Sequence, residues 1–357
     1  MAKSKLTISD VAKLAGVSKT TISHFLNDKF EFMSESTQEH IRKVIIESGY
    51  QPSKIAQSLK SQNSFIIGVI VSDIESPFVA GLIKSVERAL EGTNYLIMTA
   101  STDNSLDKEI QAIEAMRAQQ VDGLIIHTSN NENNYVRELA KSNLPIVLAD
   151  RSIKNGQFDI VYVDNVQPIQ NVLDHLHEEG YEDIYFFTED PEFVSTRANR
   201  AEAFNEAIKA HDTDNKVRII KSDDFDMIKA EIVEIMERYV REGKKPAIVC
   251  EGGLVLFVVA KCMRELGLSL PAEIALSGYD DWGVFSQLGW ADMLVDGITT
   301  VTPSVYELGQ RVTDLLLTRI ANPMSDHESV IIEAPLIIRN STELRSYNLK
   351  QAQKKND

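Results

Sequence analysis

The sequence predicts an α/β protein in which a small all-α segment precedes a larger core of parallel β-sheets. Three observations support this: helix-capping residues in the first 50 positions, alternation of strand-like and helix-like segments after Phe65, and opposite charge in these two parts. The chain has 357 residues, of which 43% are hydrophobic and 25% charged. This composition excludes a disordered chain and fits two or three domains.

Three short helices are predicted in the first 50 residues. Thr7 and Asp10 form a capping-box pattern before the first helix, and Gly16 can adopt the positive φ that ends it. Ser18 can cap a second helix and Ser34 a third. Two short helices joined by a tight glycine-containing turn predict a helix-turn-helix, whose second helix enters the major groove of DNA. Residues 53–60 are too few for a stable isolated helix, so we expect a linker that orders conditionally.

After Phe65 the chain alternates between short apolar runs and amphipathic segments. The predicted strands are Ile66–Val71, Leu96–Thr99, Gly123–His127, Ile146–Ala149, Ile160–Val163, Ile184–Phe187, Val217–Ile220, Ala247–Cys250 and Ala275–Gly278. The predicted helices include Phe78–Glu91, Leu106–Gln119, Pro168–Glu179, Arg197–Ala210, Met227–Glu242 and Leu254–Leu266. This alternation predicts two doubly wound parallel sheets with helices on both faces. Such folds bind ligands beyond the carboxyl ends of their strands, and two facing domains add a cleft.

The charge is distributed unevenly along the chain. Residues 1–62 contain nine Lys and Arg against six Asp and Glu, a formal charge of +3. Because the whole chain carries −16, the remaining residues carry −19. A small basic segment on a large acidic body indicates that only one end approaches an anionic partner.

Several function classes lack their sequence signals. No apolar run approaches the ~18 residues of a membrane span, and no signal-peptide pattern begins the chain. Cys250 and Cys262 provide neither a disulfide framework nor metal-ligand spacing. The glycine-rich phosphate loops and the nucleophile-elbow motif of common α/β enzymes are missing, so no catalytic residue, metal or cofactor is predicted. We expect a soluble cytoplasmic protein that is not an enzyme.

The first residues resemble the headpiece of the lactose-repressor family of bacterial transcription regulators. The resemblance rests on residues 6–27 (LTISDVAKLAGVSKTTISHFLN), on residues 49–52 (GYQP) and on residues 55–59 (IAQSL). In the core, similar blocks occur in the family's order at residues 67–73, 76–78, 121–125, 145–151, 163–165 and 277–281. The resemblance implies a helix-turn-helix headpiece at 1–52, a hinge helix at 53–62 and a periplasmic-binding-protein-like core at 63–340.

The resemblance also implies how the core is divided. In such cores the chain crosses three times between two subdomains, which places residues 64–164 and 297–325 in the first and 165–296 and 326–340 in the second. Residues 341–357 are expected to be a polar tail. Family members form homodimers through the core and bind near-palindromic double-stranded operator DNA.

On this resemblance, the helix from Ser18 to Asn27 is the recognition helix. Lys19 can donate to guanine, and Thr20 can take either hydrogen-bond role or touch a thymine methyl. Many relatives have Arg where His24 stands, so their guanine preference cannot be transferred. The remaining polar side chains are expected to contact phosphates. The predicted headpiece contacts are Thr7, Ser18, Lys19, Thr20, Thr21, Ser23, His24 and Asn27.

The hinge is the second predicted DNA element. Two symmetry-related hinge helices can enter the minor groove, with Leu59 wedged into a base step. The alternative is that Leu59 packs on the core. Ser53 can cap this helix, and Ile55 and Ala56 complete the predicted hinge contacts.

The predicted effector site lies between the subdomains. The positions matching the family's effector contacts are Ser72, Phe78, Asp150, Arg200 and Asp280; Arg151, Gly252 and Trp282 are added as their neighbours. Relatives often have Asn where Gly252 stands and Gln where Pro303 stands, so the ligand is not that of a familiar member. Arg151 and Arg200 favour a sugar acid, such as a keto-deoxy-gluconate, while a neutral sugar or a sugar phosphate remains open.

These residues predict a DNA-binding repressor of carbohydrate-metabolism genes, controlled by a small sugar or sugar-acid effector. Whether the effector induces or co-represses is not determined by the sequence. Two alternatives remain: a global carbon-catabolite regulator controlled by a protein corepressor, and a sugar-binding protein without a DNA role.

Overall fold

The computed structural model describes residues 6–50, 63–209, 216–281, 290–293 and 297–354. The chain divides into a headpiece unit up to residue 65 and a core unit from residue 66. The predicted hinge contacts Ser53, Ile55, Ala56 and Leu59 lie outside the described residues, as does Trp282.

The headpiece consists of three α-helices and a short 3-10 turn. They are α1 (Ile8–Leu14), α2 (Lys19–Leu26), the turn Phe30–Phe32 and α3 (Glu35–Ser48). All three predicted caps are confirmed, because the hydroxyls of Thr7, Ser18 and Ser34 accept from the backbone N–H groups of Asp10, Thr21 and Thr37. The helices therefore begin where the capping residues predict.

The headpiece helices share one small apolar core. Val11 of α1, Ile22 of α2 and Ile41 of α3 are each fully buried and belong to the same cluster. Gly16 has φ +59°, as expected for the turn between the two helices of the motif. The turn and this core fix the direction of α2, and the polar side of α2 lies on the surface of the headpiece.

The core unit contains two six-stranded sheets. The strands of the first are β1 (Ile66–Val71), β2 (Leu96–Ser101), β3 (Gly123–Ile126), β4 (Ile146–Ala149), β5 (Asp159–Val163) and β11 (Ser329–Ile332), all parallel in the order β11-β5-β4-β3-β1-β2. The strands of the second are β6 (Asp183–Thr188), β7 (Val217–Ile219), β8 (Pro246–Cys250), β9 (Ala275–Tyr279), β10 (Thr299–Val301) and β12 (Leu336–Ile337). Their order is β12-β10-β9-β8-β6-β7, with only β12 antiparallel. We call each sheet with its helices the first and the second subdomain.

Helices cover both faces of each sheet. They are α4 (Pro77–Ala89), α5 (Leu106–Ala118), α6 (Asn134–Leu139), α7 (Gln167–Glu179), α8 (Ser195–Ile208), α9 (Phe225–Glu242), α10 (Gly253–Glu265), α11 (Trp290–Met293), α12 (Val305–Ala321) and α13 (Leu344–Lys354). Each sheet has one apolar cluster on either side, which makes four clusters in the core unit. The predicted doubly wound fold class is thereby confirmed, and burial on both faces explains the continuous apolar runs of the strands.

Two predicted subdomain segments need correction. Residues 299–301 were assigned to the first subdomain, but β10 pairs with β9 in the second sheet. Residues 329–332 were assigned to the second, but β11 pairs with β5 in the first sheet. β10 is fully buried beside β9, whereas β11 is a partly exposed edge strand beside β5. These pairings depend on tertiary contacts that the short sequences of the two strands do not indicate.

Helix α12 packs against α4 of the first subdomain at close range. A Cβ added to Gly309 of α12 would lie 2.4 Å from the Cβ of Ser85 in α4. Only glycine permits this approach without displacing one of the helices. The first subdomain is therefore completed by residues distant in sequence.

The predicted polar tail is ordered over most of its length. Ser341 and Thr342 are fully buried, and α13 follows them. The Ser341 hydroxyl accepts from the Thr299 N–H at 2.9 Å and donates to the Leu276 carbonyl at 2.6 Å. These bonds attach the end of the chain to the second sheet. Of the helices within the described ranges, none combines the length and the hydropathy needed to cross a bilayer.

Candidate DNA-binding and effector sites

The first turn of α2 presents two unengaged polar side chains. Lys19 and Thr20 are exposed, and within residues 6–50 neither makes a side-chain hydrogen bond. Ser18, directly before them, is used as the cap of α2. In a helix-turn-helix this turn is the part nearest the bases.

Other predicted DNA contacts are partly engaged within the headpiece. The Ser18 and Thr21 hydroxyls are 2.8 Å apart, and the Thr7 hydroxyl donates to the Asp10 carboxylate at 2.7 Å. The Asn27 amide donates to the Ser23 carbonyl at 2.6 Å. These bonds hold the helix ends in place. Side chains held in this way suit contacts with DNA phosphates, which fix the position of the protein on the duplex, better than they suit base reading.

Phe32 is a feature of this surface that the sequence reasoning missed. Its side chain is 62% exposed, and its ring lies 4.6 Å from the His24 ring, centroid to centroid. This contact orients His24 on the outer side of α2. The sequence feature that could have indicated this contact is a phenylalanine in the short segment directly after the predicted recognition helix.

The predicted effector contacts of the first subdomain lie where its strands end. Ser72 follows β1, His127 follows β3 and Asp150 follows β4, and all three are buried. The Ser72 hydroxyl lies 3.0 Å from His127 Nδ1, and His127 Nε2 lies 3.9 Å from the Asp150 carboxylate. Burial lowers the pKa of His127 well below its usual value, so the ring is neutral and Nδ1 can accept from Ser72. Phe78 packs beside this ring, with centroids 6.0 Å apart.

Two aspartates occupy strained backbone positions after facing strands. Asp150 has φ +62° and Asp280, after β9, has φ +72°. Left-handed backbone at residues other than glycine is sparsely populated and concentrates at functional sites. Burial raises the pKa of both carboxyls, and that of Asp280 reaches about 6. The positive charge of Arg200 acts in the opposite direction and lowers the pKa of each. The two carboxyls and the guanidinium therefore share one electrostatic environment.

Arg200 is a buried residue of α8 in the second subdomain. Its Nε donates to the Asn165 side-chain oxygen at 2.7 Å, and its Nη1 donates to the Glu251 carbonyl at 2.6 Å. Its guanidinium carbon lies 3.8 Å from the centre of the Tyr279 ring. Asn165 follows β5, the last strand before the chain crosses to the second subdomain. Arg200 is therefore hydrogen-bonded to the segment that connects the two subdomains.

Gly252 borders the carboxylate of Asp280. A Cβ added there would lie 3.9 Å from an Asp280 carboxylate oxygen. The neighbouring Gly253 donates its backbone N–H to the same oxygen at 3.0 Å. Gly252 thus leaves room for a Cβ beside this carboxylate.

A second ionic cluster was not predicted from the sequence. Arg197 pairs with Glu189 and, through Nε at 3.0 Å, with Glu251. Arg151 of the first subdomain faces this cluster, and burial together with the charge of Arg197 lowers the pKa of its guanidinium to about 10. Arg197 stands three positions before Arg200 on α8, which was the available sequence signal.

A buried glutamate shapes the loop after β3. Glu109 of α5 is fully buried and accepts from the Thr128 hydroxyl at 2.7 Å and the Asn133 amide at 2.8 Å. These bonds hold residues 128–133 in a fixed loop. The described residues contain no cluster of three or more metal-ligating side chains.

The two subdomains are joined by hydrogen bonds across the cleft. The Ser152 N–H donates to the Ser195 hydroxyl at 2.9 Å, and the Asn131 N–H donates to the Phe193 carbonyl at 2.8 Å. The bonds come from the loops after β4 and β3 and meet the start of α8 and the loop before it. The two subdomains are therefore in direct contact at this edge of the cleft.

Replacing Asp280 by asparagine is expected to stabilise the ligand-free protein at pH 7.5 by about 1–2 kcal/mol. Folding raises the pKa of this carboxyl from 3.8 to about 6, so the folded state holds the proton more tightly and wild-type stability falls as pH rises through that window. The melting temperature of the variant should exceed that of wild type by about 3–6 °C at pH 7.5 and by less at pH 5.

Asp281→Asn is the matched control for this prediction. Asp281 is paired with Arg339, so its neutralisation should destabilise the protein instead. A wild-type protein that melts above Asp280→Asn at pH 7.5 would contradict the inferred cost of the buried charge.

Two family profiles match most of the chain. The profile described as bacterial regulatory proteins of the lacI family matches residues 7–53. The profile described as periplasmic binding proteins and sugar binding domain of the LacI family matches residues 64–340. Together they cover the headpiece and the core.

Curated relatives are similar over nearly the whole chain. The HTH-type transcriptional regulator KdgR of Bacillus subtilis (strain 168) is 34% identical over 337 residues, which are 94% of this chain and 97% of that protein. The ribose operon repressor of Halalkalibacterium halodurans is 30% identical over 338 residues, 94% of this chain and 97% of that protein. Among solved structures, the lac repressor dimer bound to operator and an anti-inducer has a TM-score of 0.79 at 20% identity, covering 95% of this chain and 99% of that one. That structural likeness establishes a shared fold.

Proposed function

Because this chain belongs to the lacI family of bacterial regulatory proteins, we propose that it represses carbohydrate-metabolism genes as a homodimer on operator DNA, under the control of a sugar acid. The family assignment makes it a DNA-binding transcription regulator with a sugar-binding core. The operator contacts, the effector class and the homodimer are the parts that we propose.

The observation that carries the proposal is the convergence of charged groups from both subdomains. Arg200 of the second subdomain acts on the carboxyls of both Asp150 and Asp280. Carboxylates bind hydroxyl groups well because each can accept several hydrogen bonds. A polyhydroxylated ligand with one carboxylate satisfies such a mixed set of acids and arginines better than a neutral sugar does.

For DNA, we propose that α2 reads the major groove through Lys19, Thr20 and His24. The contacts proposed for phosphates are Thr7, Ser18, Thr21, Ser23 and Asn27. The sequence-based proposal for the hinge, with Leu59 as a minor-groove wedge beside Ser53, Ile55 and Ala56, is retained. In the core, we propose that Ser72, Phe78, Asp150, Arg151, Arg200, Gly252, Asp280 and Trp282 contact the effector.

Control of DNA binding follows from linkage. An effector that favours one relative orientation of the subdomains changes operator affinity if the operator favours another. A 10²-fold change in operator affinity requires a coupling free energy of about 2.8 kcal/mol. The test is fluorescence anisotropy of full-length protein on selected operator DNA, with and without sugars, sugar acids and sugar phosphates. Absence of sequence-specific DNA binding would refute the regulator proposal, and a response to neutral sugars alone would refute the sugar-acid part.

An exposed apolar face on α10 supports the homodimer. Leu254 is 55% exposed and Phe257 47% exposed, and the Phe257 ring lies 5.8 Å from the Trp290 ring. Isolated exposed apolar residues are ordinary, but adjacent large ones on a helix are typical of interfaces. A dimer also matches the two half-sites that helix-turn-helix proteins read.

Phe257→Glu is expected to shift the protein to monomers and to weaken operator binding by about 10²-fold, since a charge would be buried in the apolar contact. Sedimentation velocity and anisotropy measure the two effects. Met324→Glu, at a residue 96% exposed after α12, should leave both unchanged. A Phe257→Glu protein that remains dimeric would exclude this face as the interface.

A further inference from the structure

Two aromatic side chains hold the 3-10 turn after α2 against that helix. The Phe30 ring lies 5.8 Å from the Phe25 ring in an edge-on arrangement, and the Phe32 ring lies 4.6 Å from the His24 ring, centroid to centroid. The Lys29 N–H also donates to the His24 carbonyl at 3.0 Å. Two consecutive residues of α2 are therefore contacted by alternate residues of the turn, which fixes where both phenylalanine rings lie.

The two phenylalanines of this turn differ in exposure. Phe30 is half-buried beside Phe25, a residue that packs against the apolar core of the headpiece. Met33, directly after the turn, packs against the same core. Phe32 between them is 62% exposed. A single exposed aromatic is ordinary on a protein surface, so its location beside His24 is what gives this ring a role.

Phe32 borders the proposed base-reading face of α2. Thr20 and His24 are four residues apart, so their side chains lie on the same face of the helix. The contact with His24, which stands in the last turn of α2, places the Phe32 ring next to this face. Its exposed side is an apolar surface among polar side chains. At base edges in the major groove the matching apolar group is the thymine methyl, which phenylalanine is suited to contact.

We propose that Phe32 determines part of the operator specificity: its ring contacts a thymine methyl, and its contact with His24 sets the direction in which the imidazole meets a neighbouring base pair. The inference rests on the proposed function, because it requires α2 to lie in the major groove. It adds an apolar base contact to the polar ones. Paired rings favour a limited set of relative orientations, so the imidazole loses less rotational freedom when it binds.

The test is a uracil scan of the operator, measured by fluorescence anisotropy with full-length protein. Each thymine of a selected operator is replaced by uracil in both half-sites, which removes a methyl group and keeps the base pairing. Wild type is expected to lose about tenfold in affinity at the thymine that Phe32 contacts. Phe32→Ala should change by less than about twofold at that position. A methyl contacted by Thr20 should keep its effect in this variant.

Affinity for unmodified DNA gives a second readout. Phe32→Ala is expected to bind the operator about 30-fold more weakly and scrambled DNA less than about threefold more weakly, because no charge is removed. Ile46→Ala is the matched control, since Ile46 of α3 is 73% exposed and is also an apolar side chain on the headpiece surface. It should leave the operator affinity and the uracil scan unchanged.

A double-mutant cycle tests whether Phe32 positions His24. The loss of operator affinity caused by His24→Ala should be at least about threefold smaller in the Phe32→Ala background than in wild type. Phe32→Leu keeps an apolar side chain in the turn without the aromatic contact. It should retain the response to the thymine methyl and show the same reduced dependence on His24, and it preserves the test if alanine disturbs the turn.

Three results would overturn the inference: uracil scans that agree between wild type and Phe32→Ala, an equal loss on operator and scrambled DNA in that variant, or additive losses in the cycle with His24. If wild type binds no operator specifically, the regulator proposal fails and the role of Phe32 fails with it. If wild type binds its operator and the uracil scan does not depend on Phe32, the regulator proposal stands and only the role of Phe32 is wrong.

Discussion

Replacing both Lys19 and Thr20 by alanine is expected to reduce affinity for the specific operator by about 10³-fold, since each lost base contact costs ~1–3 kcal/mol in each half-site. Both side chains are exposed on the first turn of α2 and make no side-chain bond within residues 6–50. Their removal therefore leaves the headpiece fold intact, and alanine favours the helix. Anisotropy on selected operator and on scrambled DNA, at two salt concentrations, measures the change.

The control for this prediction is Lys43→Ala. Lys43 is exposed on α3 and pairs weakly with Glu47 at 3.9 Å, so this variant removes one positive charge from the headpiece without touching α2. It should weaken operator and scrambled DNA similarly, because only sequence-independent electrostatics change. If Lys19→Ala combined with Thr20→Ala also weakens both DNAs equally, these residues contact phosphates and the base-reading assignment is wrong.

The headpiece is the most predictable part of the protein because its signals are local. A capping serine or threonine acts on N–H groups three residues away, so Ser18 and Ser34 mark the helix starts without reference to the rest of the chain. Phe32 was missed because its contact with His24 depends on how the 3-10 turn folds back toward α2.

The core is predictable in class but not in every segment. Strands β1 to β9 were all anticipated, because buried parallel strands of this kind read as continuous apolar runs. Strands β10 to β12 were not predicted, because β10 is mostly threonine and β11 and β12 are partly exposed edge strands without a continuous buried apolar run. Their pairing decides which subdomain each segment joins. For β11 the partner strand lies far earlier in the chain, with Ser329 opposite Ile160, and such a pairing has no local signal.

The candidate effector site was likewise predictable only in part from the sequence. Asp150 and Asp280 were assigned to the effector site through the family resemblance, and both directly follow apolar strands, where doubly wound folds bind ligands. The ion pairs of Arg197 and the two neutral partners of Arg151 could not be predicted, because they depend on side chains brought together from both subdomains. Sequence indicated which residues border the cleft, and only the structure distinguishes which charges are already paired.

Replacing Arg200 by methionine is expected to abolish the effector response, with a loss of about 10³-fold in effector affinity, while operator affinity without effector stays within about threefold. The variant should also lose about 3–5 kcal/mol of stability, because removing one member of a buried charged group leaves the others uncompensated. Asn165 and the Glu251 carbonyl lose their donor, and the positive charge that opposes the raised pKa of Asp150 and Asp280 disappears. Calorimetric titration and thermal melting measure the two losses.

A double-mutant cycle separates charge compensation from packing in this prediction. Without Arg200, the pKa of Asp280 rises further, so the stability of the variant should fall more steeply than that of wild type between pH 6 and 8. Adding Asp280→Asn to Arg200→Met removes one uncompensated charge and should restore about 1–2 kcal/mol at pH 7.5 without restoring effector binding. If the second substitution restores no stability, Arg200 acts through its contacts with Asn165 and Tyr279, and its charge does not hold the two carboxylates in the cleft.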